Sequence, residues 1–399
     1  MEMKRLLLLG GGFLQTYVIR KARELGYYVL VLDVDPNAVG YQYANEYAVI
    51  NIVDEESCLE YARRNHIDGV LTAATDFGVA SMSRIATELG LPGINYESAK
   101  LIKNKAAVRK CLSEARVDDT SCSYEISSLE QIPGVLKELK FPVMTKPVDG
   151  SGSRGVSRVD KAESFTRACK YAINGSVSRR AFVVPFIEGQ EYGVESFVYD
   201  GVTHVLGIMR KEMTRPPYYA ELGHAMPSGL SEAMEKKVKK LVCKALSALN
   251  VNHGSVNMDL IIGKNNDVHI VDVGARMGGN LIGSHIIRYG TGIEYMENMI
   301  RVAVGDPADF SPKWPQVPVA SKLLALTPGT VVGLPDFSRI ADETGVEIEH
   351  HLKIGDVINE YHTNLDGCGY VVATGKDADE AMRKAETAKT RIDNEIIRG

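Results

Sequence analysis

Between residues 4 and 95, short apolar runs alternate with stretches of helical periodicity, and this rhythm limits the fold more than any other feature of the chain. Residues 4–10 read as a buried strand, 13–25 as a helix stopped by Gly26, 28–33 as a second strand and 47–50 as a third. A helix over 55–65, a strand over 69–73 and a helix over 77–89, stopped by Gly90, complete the series. Near-continuous apolar strands separated by helices suit a parallel sheet covered on both faces, because each parallel connection must cross over the sheet. The strands are too short, and too evenly interleaved with helices, for a β-sandwich.

The remaining length calls for more than this one unit. At 399 residues the chain is long enough for two to three domains of roughly 150 residues each. An apolar fraction of 45% excludes a wholly disordered chain. The balance of 46 basic against 51 acidic side chains, net −5, argues against a dedicated nucleic-acid binder. Glycine stands out, with 37 residues against 15 prolines, which points to tight turns and close backbone approaches. No stretch approaches the ~20 apolar residues needed to span a bilayer, so no membrane partner is expected. The apolar run from Leu6 to Leu9 is too short for the core of a secretory leader. The six cysteines are scattered and none forms a C-x-x-C pair, which predicts reduced thiols and a cytoplasmic location.

Beyond residue 95 the rhythm changes. Residues 98–112 read as one basic helix carrying Lys100, Lys103, Lys105, Arg109 and Lys110. A strand over 141–146 runs into a glycine- and serine-rich loop, 150–155, followed by a strand over 155–159 and a helix over 162–172. Three adjacent strand signals, 181–187, 191–199 and 203–209, predict an antiparallel sheet. Residues 211–230 show no clear periodicity and read as a long functional loop. A long amphipathic helix over 231–249 precedes strands over 255–262 and 268–273 and a helix over 292–304. Prolines stiffen an apparent linker at 306–319. The tail is α+β, with strands near 322–326 and 369–373 and a helix over 378–396.

Four constellations carry chemistry. The turn Gly10-Gly11-Gly12 after the first strand suits an anion at a helix N-terminus. Gln15 stands where a dinucleotide fingerprint needs its third glycine, so NAD is the least favoured ligand even with Asp33 closing the second strand. In the second, Gly150, Ser151, Gly152 and Ser153 offer unobstructed backbone N–H groups to phosphates, and Lys146 just upstream adds an ammonium. No Walker A lysine follows them. In the third, Asp259 and Asp272 lie in two successive apolar strands joined by a tight turn near 263–266. Aspartate is poor in strands and costly to bury unpaired. Two that converge point to a divalent cation with oxygen ligands, magnesium above all. Arg276, four residues after Asp272, is placed either for a phosphate or for Asp272 itself. The fourth runs from Val183 to Glu191: a strand, a glycine break and two acids, Glu188 and Glu191.

Taken in this order, the residues resemble the ATP-grasp superfamily of carboxylate–amine ligases, which includes biotin carboxylase, the phosphoribosylglycinamide synthetases, D-alanine ligases and amino-acid ligases. The resemblance implies an α/β and α+β chain: a Rossmann-like pre-ATP-grasp domain at 1–96, a two-lobed grasp at 97–309 with its small nucleotide lobe at about 120–190, and a C-terminal α+β domain at 310–399. It gives Lys105 and Lys146 to the nucleotide phosphates, with Ser151, Gly152 and Ser153 in the covering loop. Val184, Phe186 and Ile187 form the adenine hinge, in which Pro185 lacks an N–H, and Glu191 with Glu188 meets the ribose. Asp259 and Asp272 become ligands of Mg2+ (or Mn2+), and Arg276 stabilises an acyl phosphate. The family often writes its last motif Glu-x-Asn-x-Arg; here it is Asp272-Val-Gly274-Ala-Arg276, without the asparagine.

The implied reaction phosphorylates a carboxylate with ATP and lets an amine attack the acyl phosphate, releasing ADP and phosphate. Arg215, Tyr218, Tyr219, Glu221 and His224 resemble the substrate loop of the amino-acid ligases. Gly278-Gly279-Asn280 resembles their carboxylate-binding turn, and Arg288 is a second carboxylate clamp. The substrates are then ATP, an amino acid or small carboxylate, and an amine, and the resemblance leaves room for a homodimer. The alternatives are a purine-pathway ligase acting on a phosphoribosyl substrate and a non-catalytic nucleotide-binding module, the latter permitted by the lost asparagine.

Overall fold

The computed structural model describes residues 3–118, 123–150, 152–216 and 218–399. The N-terminal rhythm folds as expected into a four-stranded parallel sheet. Its order is Glu46–Val49, Tyr28–Asp33, Arg5–Leu9, Gly69–Thr72. Helices Gln15–Glu24, Glu55–Arg64 and Val79–Leu89 cover it, and Leu6, Leu7, Leu8 and Leu9 are all buried because both faces are packed. The carboxyl ends of these strands face the rest of the molecule, where Ala73 bridges to Met277 and the Ala74 N–H donates to the Met277 carbonyl at 3.1 Å.

The single basic helix expected over 98–112 is two helices, Tyr96–Lys103 and Lys105–Glu114. Asn104 separates them. Its backbone is extended (φ −107°, ψ 104°) and its side chain accepts the N–H groups of Ala106 and Ala107, each at 3.0 Å. Two otherwise unpaired donors at a helix start are thereby satisfied, which is why asparagine favours a fresh N-terminus over continuation. The break points the first residue of the new helix, Lys105, at the strand pair that carries the aspartates.

Two antiparallel sheets form the central body. The smaller has the order Tyr124–Ile126, Ala181–Pro185, Val143–Pro147, Ser157–Val159, under helix Ala162–Gly175. The first of the three adjacent strand signals therefore joins this sheet instead of its sequence neighbours. Ala181 and Val183 pack with Ile126, Val143 and Phe165 in a core of their own. The chain then crosses at 186–188 into an eight-stranded sheet. Its order is Val268–Gly274, Gly254–Gly263, Gly189–Tyr199, Val202–Met213, Glu221–Met226, Val319–Leu323, Gly369–Thr374, Glu347–His350.

The reading of 211–230 as one irregular loop is corrected here. Lys211 to Met213 end one strand, and Glu221–Met226 is a strand inside the large sheet. A register shift opposite Leu222 makes Glu212 face Gly223 and Met213 face Glu221. Such a bulge changes side-chain parity, which brings Glu221 and His224 to one side although they lie three apart. That irregular parity, with charged residues turned inward, hides the period-two pattern of a strand. The tail strands Val319–Leu323 and Gly369–Thr374 and the helix Ala378–Glu395 form near their expected positions. Residues 306–318 carry no regular structure, yet Phe310 stacks on Phe197 with ring centroids 4.4 Å apart. No helix among the described residues is long and apolar enough to cross a membrane.

Candidate active site

Asp259 and Asp272 are direct cross-strand partners, as the tight turn requires. Each carries an ammonium. Lys105 Nζ lies 2.6 and 2.5 Å from the two carboxylate oxygens of Asp272, and Lys211 Nζ lies 2.9 Å from Asp259 Oδ1. Burial alone would raise both carboxyl pKa values. It does so for Asp259, against the opposing pull of Lys211, whereas Lys105 and Lys146 outweigh it at Asp272 and hold that carboxyl below the usual range. Lys146, buried on the strand Val143–Pro147, donates to the Val271 carbonyl at 2.9 Å. Desolvation pushes its pKa down to about 8, only partly offset by Asp272.

Sequence reasoning passed over Lys211. Its ammonium contacts Glu221 as well as Asp259 and lies 3.8 Å from Glu191. Burial works against its charge, but Asp259, Glu221 and Glu191 prevail and hold its pKa above the lysine range. Glu221 is kept low by Lys211 in spite of burial, while burial pushes Glu191 up to about 7. Burial likewise pushes His224 down to about 4, so the ring is neutral near pH 7; its Nδ1 has no partner among the described residues. Asn280 and Asn364 both donate to Glu221, and Tyr370 donates to Asn280 Oδ1 at 3.2 Å.

Arg276 pairs with Asp76, Nη2 to Oδ2 at 3.0 Å, not with Asp272. Asp76 comes from the loop after the strand Gly69–Thr72, so the pair ties the N-terminal unit to the central body. The position without the asparagine is closely packed by this pair. A Cβ on Gly274 would stand 3.0 Å from Asp76 Oδ1 and 3.2 Å from Arg276 Cζ.

These groups line one cleft of about 660 Å³. Val184, Phe186 and Ile187 form part of its wall, with the Arg158 guanidinium 4.1 Å over the Phe186 ring. Gly152, Ser153 and Gly155 take positive φ values of 66°, 60° and 72°, curling the loop over the same cleft; Ser151 lies outside the described residues. Gly279, Asn280, Glu221 and His224 line the far end together with Leu14, Ile282 and Leu365.

Four expected site residues are not brought in, and the first, Arg215, is exposed and not among the lining residues. Glu188 is exposed and pairs with Lys264 at 2.9 Å, because it stands on the outward side of the crossing between the sheets. Tyr218 packs its ring, tilted by 36°, against His362 with centroids 4.3 Å apart, and its neighbour Tyr219 lines the cleft instead. Arg288 sits half-exposed on the helix Ile287–Thr291, paired with Glu294 at 3.0 Å, and is not among the lining residues.

A small antiparallel lobe carrying a lysine and a glycine loop, facing a strand pair with two aspartates, is the architecture of an ATP-binding grasp. Residues 139–284 match the model of the ATP-grasp domain, and residues 322–396 match that of the L-amino acid ligase C-terminal domain 2. The chain thus carries an ATP-grasp domain followed by an L-amino acid ligase C-terminal domain, and its ATP-grasp ligase homologues are ADP-forming enzymes that make carbon–nitrogen bonds. It is 26% identical over 386 residues to uncharacterized protein y4rH of Sinorhizobium fredii, covering 94% of this chain and 79% of that one. It is 24% identical over 403 residues to the formate-dependent phosphoribosylglycinamide formyltransferase of Rhodococcus jostii, covering 98% and 95%. In fold it resembles an L-amino acid ligase from Bacillus licheniformis, with a TM-score of 0.83, 21% identity and all of both chains covered.

Proposed function

We propose that the protein joins the carboxylate of an amino acid or a small acid to an amine through an acyl phosphate, with release of ADP and phosphate. The observation that carries the choice of substrate is the state of the N-terminal glycine turn. The Gly11 N–H donates to Asp33 Oδ2 at 2.7 Å, so a carboxylate already holds the turn where a phosphoribosyl phosphate would need a donor. Beside it the cleft wall is Phe13, Leu14, Ile282 and Leu365, apolar groups suited to a side chain. The purine-pathway reading is disfavoured accordingly.

In this reading the adenine lies along Val184–Ile187, and Glu191 accepts from the ribose. Lys105, Lys146 and the 150–155 loop hold the phosphates. Asp259 and Asp272 suit Mg2+ or Mn2+: they are paired carboxylates facing one cavity, with ammonium groups to balance their charge. The cation would neutralise charge on the phosphates. The substrate carboxylate oxygen attacks the γ-phosphorus and ADP departs. Arg276, fixed by Asp76, offsets charge on the acyl phosphate. The amine nitrogen then attacks the acyl carbon and inorganic phosphate leaves. Glu221, with its anionic charge secured, faces the amino end of a substrate, and neutral His224 accepts a hydrogen bond there. Closure of the loop excludes water, which would otherwise hydrolyse the intermediate. We place the protein in the cytoplasm: Cys58, Cys111, Cys169, Cys243 and Cys368 are free thiols, as a reducing compartment favours.

A panel of amino-acid pairs with ATP, read by ADP release and by mass spectrometry of the product, tests the proposal. At least one pair should give stoichiometric ADP and a condensed product one water lighter than its parts. ATP binding without ADP release for any carboxylate–amine pair would leave only a nucleotide-binding module.

A further inference from the structure

Asn257 stands two residues before Asp259 on the strand Gly254–Gly263, so both side chains leave the same face. Across the ladder, Asp259 faces Asp272 and Asn257 faces Gly274. All four residues line one small cavity of about 50 Å³, with Lys105, Asp76 and Arg276. Magnesium takes oxygen ligands in near-octahedral number, more than two carboxylates supply. Among the described residues, no group of three or more Asp, Glu, His or Cys side chains is placed to hold a metal. The two other carboxylates lining the cavity are engaged away from the pair: Asp76 with Arg276 at 3.0 Å, and Asp149 with the Ser176 hydroxyl at 2.6 Å and the N–H groups of Val177 and Ser178. Gly274 brings no side chain at all.

The Asn257 carboxamide is differently disposed. Its Nδ2 donates to Glu195 Oε2 at 2.9 Å. Glu195 is fully buried and is held in turn by the Tyr295 hydroxyl at 2.6 Å and the Gly278 N–H at 3.1 Å. Its oxygens accept from these donors, and the nitrogen end of the Asn257 amide is the end turned to it. The carbonyl end, Oδ1, is thereby left over, and no described residue donates a hydrogen bond to it. We infer that Asn257 Oδ1 is a third protein oxygen for the divalent cation of Asp259 and Asp272, reached from the opposite strand where Gly274 offers none. Glu195 is its positioning residue. The inference rests on the cation assignment made above.

The test titrates Mn2+ into protein saturated with a non-hydrolysable ATP analogue and follows free Mn2+ by electron paramagnetic resonance. Asn257→Ala should weaken Mn2+ binding about 10- to 100-fold, the range seen when groups around a metal are removed. Asn257→Ser, which keeps a small polar side chain there but no carbonyl, should do the same. Asp272→Asn should remove the tight binding altogether. Wild-type Mn2+ affinity in both Asn257 variants, with binding lost in Asp272→Asn, would overturn the inference and leave the cation site standing. Unchanged affinity in all three would overturn the site and the inference with it.

Discussion

Asp272→Asn should lower turnover by at least about a thousandfold while the protein stays folded. Groups that stabilise charge at a reacting centre are each worth roughly 10²–10³ in rate when removed singly. Asp272 serves two such roles: it holds Lys105 through both carboxylate oxygens and faces Asp259 across the strand pair. The amide has nearly the same shape and can still accept the Val273 N–H that Asp272 Oδ1 takes at 3.1 Å. The loss should therefore appear in kcat, with an unfolding temperature within a few degrees of wild type. Full ADP-coupled ligation by the variant would remove Asp272 from the machinery.

Lys146→Ala should raise the ATP concentration required for half-saturation by roughly 10- to 100-fold, since a hydrogen bond to a charged group contributes about 1.5–3 kcal/mol. The wild-type protein should carry a matching pH signature. Burial depresses the Lys146 pKa to about 8, so the free protein holds its proton below that pH and sheds it above. Bound phosphates favour the ammonium, so nucleotide binding must take up a proton once the pH exceeds about 8. Affinity should be flat up to about pH 7.5 and then fall by as much as tenfold per pH unit. Isothermal titration of an ATP analogue between pH 7 and pH 9.5 measures both effects, and in Lys146→Ala the slope should vanish. An unchanged affinity in the variant would count against Lys146 as a phosphate ligand.

The sequence was most legible where one periodicity acted alone. The first two N-terminal strands are apolar on both faces, so 4–10 and 28–33 stand out as short runs and fold as Arg5–Leu9 and Tyr28–Asp33. Asp259 and Asp272 were legible for the opposite reason, as charges that a strand does not tolerate without a purpose. The same reasoning applied to Glu195, a charge inside the strand signal 191–199, would have found it, whereas Lys211 is masked by the charged run Arg210-Lys211-Glu212. Asn104 shows what periodicity cannot resolve: the helical pattern runs through it, and only the side chain's reach for two N–H groups ends one helix and starts another. Asp76, Asn364 and Tyr370 carry no local signal. They come from the two ends of the chain, and only the packing of those ends against the central body sets them beside Arg276, Glu221 and Asn280.

The acyl phosphate can be traced atom by atom. A carboxylate substrate labelled with ¹⁸O in both oxygens, supplied with ATP, Mg2+ and the amine found by the substrate panel, should pass one ¹⁸O to each inorganic phosphate released. Phosphorus NMR or mass spectrometry of the phosphate reads that transfer directly. Product formation with unlabelled phosphate, or with AMP and pyrophosphate in place of ADP, would contradict a reaction through phosphoryl transfer to the carboxylate.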